Sequence, residues 1–272
     1  FIVPALMAGN VGVLKHSSSV MGCAIMLEEL FKEAVFLEGC LKNLTVSSDP
    51  IEFVIKSPII KAVTLTGSKP AGSAVASTAG SEIKKTVLEL GGSNALVVFD
   101  DADIDSAIDT CVDARYQNTG QSCIAGKRLL LHKEITSVFL QKLTNKVMDL
   151  KVGDPLHEDT YIGVMARADL AEELEETMHK SVNMGADIHL GGKRKDAFFE
   201  PTILTNVTKE MPVFKEETFG PLLSVTLFES DQEAIDLVNE SEFGLGVSLF
   251  SENTQRMEKM VSHFDDGSVF IN

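Results

Sequence analysis

The chain is short of basic residues: 24 Lys and Arg stand against 40 Asp and Glu, a formal net charge of −16 over 272 residues. A binder of nucleic-acid phosphates needs a basic face, so that class of partner is excluded. Cysteine is scarce as well. Cys23, Cys40, Cys111 and Cys123 are scattered, with no C-x-x-C pair, which argues against a disulfide scaffold, a zinc ribbon and a thioredoxin-type site. No apolar run reaches the ~18 residues of a membrane helix, so no membrane partner is expected. The apolar opening Phe1–Leu14 is interrupted by Pro4, Gly9, Asn10 and Gly12 and has no basic lead, unlike a signal peptide. With no initiator Met, and with Gly267–Asn272 (GSVFIN) reading as a strand cut short, the sequence reads as the interior of a longer chain.

What is present is an ordinary globular composition, 44% hydrophobic and 24% charged, with enough length to bury a layered core. Strand-like runs alternate with helical patterns. Strands are expected at Val11–Leu14, Leu44–Ser47, Ala62–Thr66, Thr86–Leu90, Ala95–Phe99, Leu129–His132, Ile188–Leu190, Thr202–Leu204, Leu222–Phe228, Val247–Phe250 and Val269–Asn272. Helices are expected over Val20–Phe31, Ala71–Ile83, Asp103–Tyr116, Ile135–Leu150, Ala166–Met184, Gln232–Val238 and Thr254–His263. The alternation implies an α/β fold with parallel sheets and crossover helices. It restarts near Gly91-Gly92, which divides the chain into residues 1–90 and 91–272.

Four local patterns carry chemistry. In Gly120-Gln121-Ser122-Cys123-Ile124-Ala125-Gly126, a cysteine lies among small residues between a helix and a strand, where a loop can present a nucleophilic thiolate. A buried, inert thiol is the ordinary state of a free cysteine, and the other three, in apolar helical or turn contexts, take that reading. Glu89 ends an apolar strand before two glycines. A carboxyl enclosed there would titrate high and serve as a base, whereas on an alternating edge strand it would face solvent. Thr64–Gly72 is a strand, a glycine turn and a helix start, a junction that offers N–H groups to phosphate without matching G-x-G-x-x-G or G-x-x-x-x-G-K-[ST]. Lys15 follows the first strand, either toward a ligand crevice or simply on the surface.

Two metal readings fail. Asp101, Asp103 and Asp105 have D-x-D-x-D spacing, but Ser106 and Val112 stand where a calcium loop needs Gly and Glu. His157-Glu158 has Tyr161 in place of a second zinc histidine, and Cys123 has no evident His partner for papain-like hydrolysis.

In order, Lys15, Gly67-Ser68, Glu89-Leu90-Gly91-Gly92, Gly120-Gln121-Ser122-Cys123 and Glu217-Thr218-Phe219-Gly220-Pro221 resemble the NAD(P)-dependent aldehyde dehydrogenase superfamily, with Glu89 and Cys123 34 residues apart as in that family. The resemblance covers essentially the whole chain. The strings VPALMAGNVGVLKHSS, AVTLTGS, LELGGSNALVV, QNTGQSCIAGKR, EPTILTNV and EETFGP are most similar to its succinate-semialdehyde dehydrogenase branch. It implies a Rossmann-like cofactor domain, partial, at residues 1–90 and an α/β catalytic domain, partial, at 91–272.

The resemblance also implies roles. Cys123 would attack an aldehyde, and Glu89 would activate the water that releases the resulting thioester. The backbone N–H of Cys123 would supply half of an oxyanion hole. Lys15 would hold adenosine-ribose hydroxyls, and Gly67, Ser68 and Gly72 the pyrophosphate turn. Leu90 and Gly91 would lie near the nicotinamide amide, Glu217 would hold its ribose and Phe219 would pack near the ring. The cofactor would be NAD or NADP, with no metal. Many NAD-preferring members carry Glu where Ser18 stands, so a 2′-phosphate is not repelled here. Some members hold the substrate carboxylate through an Arg where Gln117 stands, which leaves Arg115 as a nearby candidate. The family's P-W-N-F-P segment, whose Asn completes the oxyanion hole, would precede Phe1, and its P-F-G-G segment would follow Asn272.

The function implied is oxidation of an aldehyde, such as succinate semialdehyde, by a homodimeric or homotetrameric enzyme. Acidic composition and the lack of a targeting signal point to the cytoplasm. The alternatives are an inactive fragment that retains at most nucleotide binding, a cofactor-independent cysteine esterase, and an acylating relative that passes its acyl group to CoA.

Overall fold

The computed structural model describes residues 1–272 and divides into two compact units, Phe1–Leu90 and Gly91–Asn272.

The first unit contains two parallel strand pairs, each joined by a crossover helix. β1 (Gly12–Leu14) pairs with β2 (Leu41–Asn43) across α2 (Met21–Glu33), and β3 (Ala62–Thr66) pairs with β4 (Lys85–Glu89) across α4 (Lys69–Ser81). Two short helices, α1 (Ile2–Met7) and α3 (Ile51–Lys56), were not apparent from sequence. Pro4 does not break α1, because it lies in the first turn, where a missing N–H loses no helical bond. The expected strand Leu44–Ser47 is a loop. The pairing lies at Leu41–Asn43, and the Leu44 N–H donating to the Leu14 carbonyl (2.8 Å) is its last rung.

In the second unit a seven-stranded sheet runs in the order β13-β12-β5-β6-β11-β10-β7, its strands being β5 (Asn94–Val98), β6 (Gly126–His132), β7 (Asp187–Leu190), β10 (Thr202–Thr205), β11 (Leu222–Phe228), β12 (Val247–Phe250) and β13 (Val269–Ile271). All pairings are parallel except β7 with β10, so the edge departs from the parallel pattern expected. A hairpin of β8 (Arg194–Lys195) and β9 (Phe198–Phe199) lies between them in sequence.

The period-two alternation of a doubly covered sheet sorts its core. Ala95 and Val97 of β5 pack with α7 (Ala168–Asn183), α8 (Pro212–Lys215), α9 (Asp231–Asn239) and α10 (Thr254–Val261). Leu96 and Val98 face α5 (Ile104–Tyr116) and α6 (Thr136–Met148), where Phe139 and Tyr116 are fully enclosed. The Asp103 side chain accepts from the N–H groups of Asp105 and Ser106, fixing the start of α5. No helix in the chain is long and apolar enough to cross a membrane.

Open parallel sheets usually bind ligands at their carboxyl edge, where the connections diverge, here between β5 and β12. That edge is filled. The Arg256 guanidinium lies 4.3 Å from the Phe99 ring centroid and donates to Asp100 (2.8 Å) and Asp231 (2.9 Å), and the Ser251 hydroxyl donates to Asp101 (2.7 Å). The candidate residues of this unit gather at the amino edge instead.

Candidate active site

Cys123 lies in the turn that enters β6 and is partly exposed. The backbone leading to it is strained. Asn118, Thr119 and Gly120 all have positive φ (54°, 57° and 70°), a conformation unfavourable for a β-branched residue such as Thr119. Side chains hold this turn: Thr119 Oγ1 accepts from the Gly163 N–H (3.3 Å), and Gln121 Oε1 from the Ala166 N–H (2.8 Å).

A fully buried guanidinium completes the clamp. Arg115 Nη2 donates to the carbonyls of Gly120 and Thr218 (3.1 Å each) and to that of Gly220, joining the cysteine turn to the segment that enters β11. Arg115 is therefore not the free cation that a substrate carboxylate would need. Its position on the last turn of α5 points it inward, and burial lowers its pKa to about 10.

Lys127, the second residue of β6, is equally enclosed. Its ammonium donates to the carbonyls of Ser122 (2.8 Å) and Cys123 (3.0 Å), meets Glu217 Oε1 at 3.1 Å and lies 5.7 Å from the Phe219 ring centroid. Burial, opposed by the Glu217 charge, lowers its pKa to about 8. Glu217 Oε1 also accepts from the Gly92 N–H (3.0 Å), and a side chain at Gly91 would collide with the same carboxylate. Gly91, Glu217 and Phe219 thus share one site with the carbonyl side of the Cys123 turn. Arg128, next along β6, caps α9 by donating to the carbonyls of Leu237 (2.8 Å) and Val238 (3.2 Å).

The structural roles of Arg115, Lys127 and Arg128 were missed from sequence. The available signal was Lys127-Arg128 heading the apolar run Leu129–Leu131: adjacent strand residues point to opposite faces, so two charges at a buried strand's start must each find a partner.

In the first unit, Ser68 caps α4, its Oγ accepting from the Ala71 N–H at 3.5 Å, and Pro70 stands in the first turn. The Gly67 N–H donates to the Glu89 carbonyl (3.0 Å). A side chain on Gly72 would press into Leu90, 2.5 Å from one methyl, so glycine is needed where the helix crosses the strand end. Lys15 is half-buried, its Nζ 3.4 Å from Ser48 Oγ, and Ser18 is exposed at the start of a 3₁₀ turn.

Glu89 takes the solvent-facing one of its two readings, and one expectation about the cysteines fails. Glu89 is exposed and has no apolar enclosure, because β4 pairs on one side only and alternates Lys85, Val87 and Glu89 outward. Of the cysteines read as buried and inert, only Cys111 is, its thiol pushed up by burial; Cys23 is exposed, because α2 buries little beyond Ala24.

The layered α/β unit thus presents a cysteine turn at the amino edge of its sheet, braced against a Glu-Thr-Phe-Gly-Pro segment. The family signature described as aldehyde dehydrogenase family matches residues 1–272, and the chain belongs to that family. It is 42% identical over its whole length to a protein of Mycobacterium leprae named succinate-semialdehyde dehydrogenase [NADP(+)], of which it covers 60%. A succinic semialdehyde dehydrogenase of Streptococcus pyogenes, solved in complex with NADP+, is 33% identical with a TM-score of 0.96, over 99% of this chain and 60% of that one. The lactaldehyde dehydrogenase of Escherichia coli superposes equally well at 32% identity, with 99% and 58% covered. The chain thus spans about 60% of the length of the curated relatives it matches.

Proposed function

We propose that the protein of which this chain forms part oxidises an aldehyde, with succinate semialdehyde as the best-supported substrate, to the carboxylic acid with NADP+ or NAD+. The observation that carries this reading is the Cys123 turn, with its strained approach and its carbonyls tied through Lys127 to Glu217.

The residues present fit a nicotinamide dinucleotide. Gly91 lets the Glu217 carboxylate lie close against the backbone, and Ser68 opens a helix whose N-terminal N–H groups suit a pyrophosphate. Lys15, Ser18, Gly67, Ser68, Gly72, Leu90 and Gly91 would line its path, Glu217 would accept from the nicotinamide ribose hydroxyls, and Phe219 would cover the ring. When bound, this group supplies a two-electron hydride acceptor.

The protein's own chemistry is then covalent. The Cys123 thiolate adds to the aldehyde carbon, and the oxyanion formed accepts from the Cys123 N–H. Oxidation leaves a thioester on Cys123. Glu89 takes a proton from the water that attacks it, and the acid departs as the thiol is restored.

Ser18 carries no charge to repel a 2′-phosphate, which agrees with NADP+ use by the relatives. A cytoplasmic homodimer or homotetramer is the assembly we favour. The experiment is NADPH absorbance with succinate semialdehyde and lactaldehyde, using Cys123→Ala as control. Turnover that depends on Cys123 and favours succinate semialdehyde supports the proposal. Turnover indifferent to Cys123 refutes it, and hydrolysis of a simple ester without nucleotide would favour the esterase reading.

A further inference from the structure

The Lys127 ammonium has three donors and three acceptors: the carbonyls of Ser122 and Cys123 and the Glu217 carboxylate. The side chain has no access to solvent, so no water can replace any of them. No peptide in the chain is cis. In a trans peptide the C=O and the following N–H point in opposite directions. Ser122 C=O and Cys123 N–H belong to one such peptide, so anchoring the carbonyl on Lys127 aims the N–H away from the ammonium. A second bond holds the same carbonyl, which also accepts from the Ala125 N–H (3.2 Å).

We propose that Lys127 is a positioning residue for the reaction: it fixes the Ser122–Cys123 peptide so that the Cys123 N–H is presented to the oxyanion, and it holds Glu217 in the same grip. This inference rests on the function proposed above. The charged and titratable groups facing Lys127 are Glu217 from the segment entering β11, Arg115 from α5 and Cys123 from its own turn. Lys127 touches no substrate atom in this scheme. Its effect travels through the peptide plane, and so falls on the transition state more than on aldehyde binding.

Three measurements test this on Lys127→Met, which keeps the stem and removes all three donors: steady-state kinetics, NADP+ affinity by calorimetry, and a crystal structure of the unliganded variant. A misaimed oxyanion donor is expected to lower kcat by about 10- to 100-fold, with the aldehyde KM changed less than about threefold. NADP+ affinity falls, and the Ser122–Cys123 peptide rotates. Lys127→Arg, which restores a cation and donors, recovers a large part of kcat. If Lys127→Met does not fold, Lys127→Gln replaces it in all three measurements.

The inference is overturned if kcat stays within about threefold of wild type, if the loss falls wholly in KM, or if the peptide is unmoved in the crystal. Wild-type protein without Cys123-dependent turnover would instead refute the proposed function, and the peptide orientation would then decide the inference alone.

Discussion

Replacing Gly91 by alanine tests the Glu217 anchorage directly. The new Cβ would collide with Glu217 Oε2 and lie 3.0 Å from its Cδ, so the carboxylate must swing away. It then leaves the Gly92 N–H and the Lys127 ammonium, now 3.0 and 3.1 Å away. Hydrogen bonds to charged groups contribute about 1.5–3 kcal/mol each. Glu217 keeps some solvent contact, so the lower end applies, about 3 kcal/mol in stability for the pair. A displaced carboxylate would also lose the bond to the nicotinamide ribose proposed above. At 1.4 kcal/mol per decade, a loss of about 2 kcal/mol weakens NADP+ binding roughly 30-fold. Calorimetric titration and thermal melting read the two effects. Gly22→Ala is the control: nothing lies within 4 Å of its new methyl, and a helical glycine gains about 0.4–1 kcal/mol from alanine. Gly91→Ala protein that binds NADP+ within twofold of wild type and melts at the same temperature would refute the anchorage.

Other outcomes follow from the same geometry. Arg115→Met strands the carbonyls of Gly120 and Thr218, leaves that of Gly220 only the Leu222 N–H, and is expected to destabilise by about 3 kcal/mol, read as a lowered Tm; a raised KM at unchanged Tm would make Arg115 a substrate clamp after all. Ser18→Glu places a carboxylate where a 2′-phosphate is expected and should weaken NADP+ at least about tenfold relative to NAD+, by competitive titration. For Lys127, the folded pKa of about 8 lies below the ordinary 10.5, so between these values the unfolded chain binds the extra proton and stability rises with pH. Denaturant titrations should show wild type gaining on Lys127→Met by up to about 1.4 kcal/mol per pH unit from pH 8 to 10.5. A constant difference would contradict this.

Hydrophobic patterning made most elements of the second unit legible. The run Leu222–Phe228 and the flanked helix at Ile104–Tyr116 have only one reading at their periods. The first unit was harder. Leu41–Asn43 is too short to show a period, and α2, apolar on most sides, leaves Ile25, Met26 and Leu30 exposed. In the site, glycines and the cysteine were visible as motifs because each answers a local need. The buried cations were not, since a sequence shows Lys127 and Arg115 as charges and only the fold shows that backbone carbonyls surround them. The alternation of β4 offered both an enclosed and an exposed Glu89, and only the pairing and helix cover of the fold decided for exposure.

The central claim is that Cys123 becomes acylated during aldehyde oxidation and that Glu89 mediates its release. The direct measurement is the intact mass of Glu89→Gln protein quenched in acid after mixing with NADP+ and succinate semialdehyde, followed by peptide mapping. The account predicts a mass gain of one succinyl group, localised to Cys123 and absent from Cys123→Ala. An unmodified Cys123 in protein that has produced a stoichiometric burst of NADPH would contradict it.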